Sequence, residues 1–262
     1  MPKVTVNTIS LDYAIQGEGK AILLLHGLGS TKKDWDAQIP VFSQHYKTVA
    51  VDLRGHGNSS IPAEKDQYGV HFMSQDIKHL MDALEIPKAT LIGFSMGGAV
   101  AFEFAVNYPE RLDKLIIVNS GPDFNDMGEL GEELLNSRTA FLNEKGIAEL
   151  AKTIAENMFP EPHQVAMKEE FEARCAKNDH DAYYQSFVTL MAWGLGDRLQ
   201  EIEHKTLIVG SDMDYTPVAF KENYTKRMKN AELAVVKNSR HGVIIDQPED
   251  FNTIVLNFLA DE

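Results

Sequence analysis

The chain has little with which to cross-link itself: Cys175 is its one cysteine, so an internal disulfide is excluded. A single thiol fits a reducing cytoplasm, the expected location, though a secreted protein that has shed a leader would show the same. Positive charge is scarce as well. The 25 Lys and Arg stand against 39 Asp and Glu, a formal net charge of -14. Nucleic acid and anionic membranes both need a basic footprint, so neither is an expected partner. The excess is uneven, with 14 acidic against 6 basic residues between Asp123 and Asp181, a pattern that solvated helix faces account for. No apolar run approaches the roughly 18 residues of a membrane span. The start "MPKVTVNTIS" has no apolar stretch after Lys3 and does not read as a secretory signal. Metal motifs such as His-Glu-x-x-His are missing, as are internal repeats and low-complexity tracts.

What is present suits one large folded unit. The 262 residues are 44% hydrophobic and 24% charged, enough for a sizeable core. Short runs rich in β-branched residues alternate with helical patterns, which predicts a mostly parallel, doubly wound α/β sheet of about eight strands with helices on both faces. The inner strands are expected at Ile22 to Leu25, Thr48 to Val51, Thr90 to Ile92, Leu115 to Val118, Leu207 to Val209 and Ala234 to Val236. The period-two stretch "KVTVNTISLDYAIQG" predicts an antiparallel hairpin at one edge. Helices are expected over Trp35 to Gln44, Val70 to Leu84, Gly98 to Asn107, Pro217 to Met228 and Pro248 to Leu259. From about Phe124 to Leu195 the strand rhythm stops and only helical spacing remains. The predicted division is therefore a core of residues 1–122 and 197–262 with an all-helical cap of 123–196. Such a cap would cover the carboxyl ends of the strands, where open α/β sheets bind ligands.

The segment "LIGFSMGGAV" puts Ser95 between Gly93 and Gly97 at a strand-to-helix junction. A serine hydroxyl needs an approach free of its own backbone and a base within hydrogen-bond reach. A turn tight enough to expose it leaves no room for Cβ atoms on its neighbours, the logic of the Gly-x-Ser-x-Gly elbow. The helix that follows aims its N-terminus at the serine, so the Met96 amide is a candidate oxyanion donor. Leu28, in the turn His26-Gly27-Leu28-Gly29, is the candidate second donor. That turn fits neither phosphate-loop spacing. His241, following the last strand, is the candidate base. The acid that orients it is expected in "KTLIVGSDMDYTP", where Asp214 is favoured and Asp212 is the alternative.

Taken together, His26-Gly27-Leu28-Gly29, Asp52-x-Arg54-Gly55-x-Gly57-x-Ser59, Gly93-Phe94-Ser95-Met96-Gly97-Gly98, and His241 with Pro248 downstream resemble the α/β-hydrolase fold superfamily in its single-domain form with a helical cap. The resemblance implies Ser95 as nucleophile, His241 as base, Leu28 and Met96 as oxyanion amides, and an acid after the strand ending near Val209. The family's usual acid position, four residues before a proline, is filled here by Met213. It also implies that Asp52, Arg54, His56 and Ser59 brace a turn rather than catalyse. A serine at the elbow speaks against dehalogenase and epoxide-hydrolase chemistry, which use aspartate there.

The expected activity is hydrolysis of carboxylic esters, lactones or thioesters of small, largely apolar molecules through an acyl-serine, with no cofactor and no metal. A hydrolase-fold receptor with negligible turnover, an acyl-transferase or perhydrolase, and a C–C bond hydrolase stay open as alternatives. Phe141, Phe159, Phe187, Met191 and Trp193 are the candidate substrate contacts, with simple core packing as their other reading. Monomer and homodimer are both open.

Overall fold

The computed structural model describes residues 2–6 and 8–261. In chain order the elements are β1 Lys3–Val6, β2 Ile9–Gln16, β3 Ala21–Leu25, α1 Ile39–Phe42, β4 Lys47–Val51, α2 Val70–Ala83, β5 Ala89–Phe94, α3 Met96–Asn107 and β6 Leu112–Val118. They continue with α4 Gly128–Met158, α5 Val165–Cys175, α6 His180–Met191, β7 Thr206–Ser211, α7 Val218–Arg227, β8 Ala231–Val236, α8 Val243–Asp246 and α9 Pro248–Ala260. The strands form one sheet in the order β1-β2-β4-β3-β5-β6-β7-β8. β2 runs antiparallel to both of its neighbours and all other pairs are parallel.

Strand geometry explains why the inner strands read as unbroken apolar runs. Successive side chains leave a strand on opposite faces. Leu23, Leu25, Leu91, Leu115, Ile117 and Ile208 enter one core, with residues of α2, α3 and α7. Ile22, Leu24, Ile92, Ile116, Val118, Leu207 and Val209 enter the other, with Trp35, Phe42 and residues of α8 and α9. Both faces are therefore dry along these apolar runs, and the partly exposed charged residues of the inner strands, Lys47, Asp113 and Lys114, lie toward the strand starts.

One helix differs from expectation, and another is kinked. The stretch from Trp35 to Gln44 is a 3-10 turn, Lys32–Trp35, followed by the short α1. Pro40 has no N–H to donate, so no continuous ladder runs through it. Within α4, Gly146 adopts φ 82° and ψ 174° and breaks the axis.

Between β6 and β7 every long element is a helix. A third cluster, Leu142, Leu150, Tyr183, Phe187 and Met191, packs α4 against α6 and onto Leu28 and Phe124. Asp123 and Gly194 form a β-bridge where this segment leaves and rejoins the sheet. Among the described residues no helix is long and apolar enough to cross a membrane.

Candidate active site

Every candidate polar group follows the carboxyl end of a parallel strand. Ser95 directly follows β5, with φ 53° and ψ -117°. That is left-handed territory which costs a non-glycine residue of order 1–3 kcal/mol and persists only where surroundings impose it. The surroundings are close backbone: a Cβ on Gly93 would lie 2.2 Å from the Gly97 carbonyl oxygen, and one on Gly97 would lie 2.2 Å from that of Leu25. The Ser95 amide donates to Val118 O at 2.9 Å, and Ser120 Oγ donates to Ser95 O at 2.7 Å, so β6 holds the turn. Ser95 remains partly exposed.

Asp214, in the loop after β7, meets His241, in the loop after β8. His241 Nδ1 donates to Asp214 Oδ1 at 2.8 Å. The other carboxylate oxygen accepts from Thr216 Oγ1 at 2.5 Å and Lys221 Nζ at 2.7 Å. Burial alone would raise the Asp214 pKa, but His241 and the Lys221 ammonium outweigh it and hold the carboxyl below the usual carboxylate range. Asp212 lies elsewhere: it accepts from the Ser239 amide at 3.4 Å, and its carboxylate is 3.9 Å from Lys237 Nζ. Asn119, just past β6, ties the two loops together, donating to Ser211 Oγ at 2.7 Å and to His241 O at 2.9 Å.

Lys221 was not legible as part of this site. Its side chain is fully buried on the inward face of α7 beside Tyr224 and Thr225, and its ammonium has three acceptors: Asp214 Oδ2, Thr216 O and Thr216 Oγ1. The available signal was a lysine at helical spacing from two inward residues. Removing one partner of a buried pair leaves the other charge uncompensated, so Lys221→Met should lose about 3–5 kcal/mol in urea unfolding. Adding Asp214→Asn should recover part of that loss.

Tyr215 was also missed. Its ring stacks on His241 with centroids 4.3 Å apart, and its hydroxyl is 3.1 Å from His241 Nε2, on the wall of the cavity that Ser95 also borders. A proton on Nδ1, given to Asp214, leaves Nε2 as acceptor and the phenol as donor. Although 65% of the residue's surface is accessible, the hydroxyl end is turned into the site, where burial and the Asp214 charge raise its pKa.

Ser95, His241 and Tyr215 border a cavity of about 570 Å³ that also touches Gly27, Leu28 and Phe141. A second space, about 60 Å³, adjoins Ser95, Leu28, Phe187 and Met191. Met96 opens α3, so its amide has no carbonyl one turn back. The Leu28 amide donates to no backbone acceptor among the described residues. Two expected substrate contacts lie outside both spaces. Phe159 is buried against Phe171 and underlies Gly242, where it fills the core beneath the His241 loop. Trp193 donates from Nε1 to Glu103 Oε2 at 2.9 Å and packs on Phe124, at the foot of the helical segment.

The segment from Asp52 to Ser59 is bound into the frame. Asp52 accepts from the Lys32 amide, Lys32 Nζ and the Asn58 amide, Arg54 pairs with Asp76, and Ser59 Oγ accepts from the Asp12 amide. His26 Nε2 accepts from the Leu53 amide at 3.0 Å. Burial, then the neighbouring His56, pushes His26 down to about 3, and burial lowers His56 too. Both rings take protons more readily in the unfolded chain. Stability from this source is complete above the ordinary histidine value of 6.5 and is lost as pH falls from there toward 3. The slope is at most about 1.4 kcal/mol per pH unit per ring. Urea midpoints taken from pH 7 down to pH 4 should fall, and fall less steeply in His26→Gln.

Known proteins share this layout. A family model described as alpha/beta hydrolase fold matches residues 20–248. A Caulobacter segnis protein provisionally named as a carbamate hydrolase, RutD, is 30% identical over 250 residues, 92% of this chain and 91% of its own. A 2-hydroxy-6-oxo-6-phenylhexa-2,4-dienoate hydrolase of Burkholderia cepacia is 31% identical over 267 residues, 94% of this chain and 89% of its own. In fold, the enol-lactonase from Burkholderia xenovorans LB400 has a TM-score of 0.91 at 23% identity, covering 99% of this chain and all of that one. The family match takes in the loops after β3, β5, β6, β7 and β8 that carry the groups just described, and the chain belongs to the alpha/beta hydrolase fold family.

Proposed function

We propose that the protein is a serine hydrolase that opens ester or lactone bonds of small molecules through an acyl-serine intermediate. The observation that carries this reading is the hydrogen bond from His241 to Asp214, with His241 and Ser95 on the wall of one cavity. Asp214, charged and itself held by Lys221 and Thr216, keeps the proton on Nδ1 and leaves Nε2 as the base. His241 takes the Ser95 proton as oxygen attacks the carbonyl carbon. The carbonyl oxygen gains the charge and lies against the Leu28 and Met96 amides, with the α3 dipole behind the latter. The protonated imidazole gives its proton to the departing alcohol, and water then releases the acid from Ser95 by the same steps.

The Tyr215 hydroxyl, which rests on Nε2, vacates that nitrogen in this scheme before it accepts the serine's proton. The helical segment 123–196 is a cap whose α4 and α6 roof the cavity. Relatives named for hydrolysis of a carbamate and of a dienoate support a hydrolase. A panel of 4-nitrophenyl esters with acyl chains of two to ten carbons tests the reading. Turnover lost in Ser95→Ala supports it; tight binding with no turnover supports the receptor alternative.

A further inference from the structure

The cavity's charge runs against that of the chain. Although acidic residues outnumber basic ones 39 to 25, the larger cavity is bordered by two arginines, Arg138 and Arg240, and by no carboxylate among the described residues except through His241 to Asp214 behind it. The chain has seven arginines. Arg54, Arg111, Arg174 and Arg198 each pair with a carboxylate, and Arg227 is exposed. The remaining two are those at the cavity, and neither has a carboxylate partner among the described residues. Asp123, which borders the smaller space, uses Oδ1 to accept from the Gly196 amide at 2.6 Å.

Arg138 is the better placed of the two. It borders both spaces that flank Ser95, whereas Arg240 borders only the larger. Its guanidinium lies over the Phe187 ring, 5.0 Å from the centroid, so α4 and α6 hold it as a plane with its N–H edge left over. A guanidinium is always charged, and its fork of donors matches a carboxylate in a bidentate pair. Stacking satisfies the face of the group and none of its donors. Resting on the serine hydrolase reading above, we infer that the substrate is an anion whose carboxylate is received by Arg138 while its scissile carbonyl lies at Ser95, with Arg240 adding a second positive charge. The largely apolar substrate expected from the cap's aromatic residues is thereby narrowed to one with an apolar body and a charged end.

The test uses ester pairs that differ by one charge. Mono-4-nitrophenyl adipate against 4-nitrophenyl hexanoate places the carboxylate on the acyl side, with a chain too long to cyclise readily. 4-Acetoxybenzoate against 4-acetoxybenzamide places it on the leaving group. The readout is the ratio of kcat/KM, charged over neutral, within each variant, so partial loss of folded protein cancels. At least one pair should show a ratio above one. Arg138→Gln should lower it about 10- to 100-fold, the range of a lost charge-assisted hydrogen bond. Arg138→Lys should keep part of it, Arg240→Gln should cause a smaller fall, and the remote Lys229→Gln should leave it unchanged. Binding of hexanoate against hexanamide to Ser95→Ala protein reads the same contrast by calorimetry without turnover. Ratios at or below one for both pairs, a ratio that survives Arg138→Gln, or a fall in Arg240→Gln alone overturns the inference. Ester turnover that survives Ser95→Ala instead overturns the hydrolase reading on which it rests.

Discussion

Replacing Ser95 by Ala is expected to lower kcat on any ester the protein cleaves by about a millionfold, the scale seen when a triad nucleophile is removed. The size follows from what the change removes and what it leaves. On the proposed mechanism the covalent route is lost outright, while the Leu28 and Met96 amides and the cavity walls remain to supply the residual rate over water. Ala fits the site, since it adds no atoms to a turn whose neighbours leave room for none at Gly93 and Gly97. KM or ligand affinity should therefore stay within a few fold, and the variant should unfold at a urea concentration close to that of the parent. Rapid-mixing experiments supply the companion observation: a burst of 4-nitrophenol in the parent, equal to one acyl group per chain, that is gone in the variant. An undiminished rate in Ser95→Ala would mean that another group does the chemistry.

The expectations for this site came from the sequence at the points where geometry is local. Gly93 to Gly98 spells its own strain, because glycine is placed where a Cβ would meet backbone within 2.2 Å. The inner strands were legible as apolar runs because both faces of each are covered. Asp214 and His241 follow the ends of those strands, and the structure joins them by a hydrogen bond. Lys221, Tyr215 and Asn119 were not legible, because their part depends on which way a loop or the first turn of a helix is rotated. The same ignorance put Phe159 and Trp193 at the substrate. Aromatic residues at helical spacing show that a face is buried, but whether it meets a cavity or a second core is decided by how α4, α5 and α6 dock. Charge is legible only in bulk. The acidic excess of residues 123–181 lies mostly on solvated helix faces, as expected, whereas the place of Arg138, one of six basic residues in that stretch, beside the cavity is set by helix docking.

Asp214→Asn should lower kcat about 10^4-fold, the cost of presenting the imidazole in the wrong tautomer, while Asp212→Asn should change it less than about threefold. The two residues are separated only by Met213, and the ranking rests on their surroundings. Asp214 gives one oxygen to His241 Nδ1 and the other to Lys221 and Thr216, so its carboxylate is held charged in a place that burial alone would neutralise. Asn in its place offers an N–H₂ where either His241 or Lys221 now finds an acceptor. If the amide oxygen turns to Lys221, the amide nitrogen faces the imidazole and drives the proton from Nδ1 to Nε2, so the base nitrogen is no longer free. If it turns the other way, the Lys221 ammonium meets a donor in a buried site. The first arrangement removes catalysis and the second removes stability, so kcat and the unfolding midpoint measured together distinguish them. Among the described residues the Asp212 carboxylate faces the Ser239 amide and, at 3.9 Å, the exposed Lys237. Its loss loosens one contact between the β7 and β8 loops, which Asn119 also joins. A larger loss in Asp212→Asn than in Asp214→Asn would reverse the assignment of the acid and would require the loop after β7 to rearrange before His241 could work.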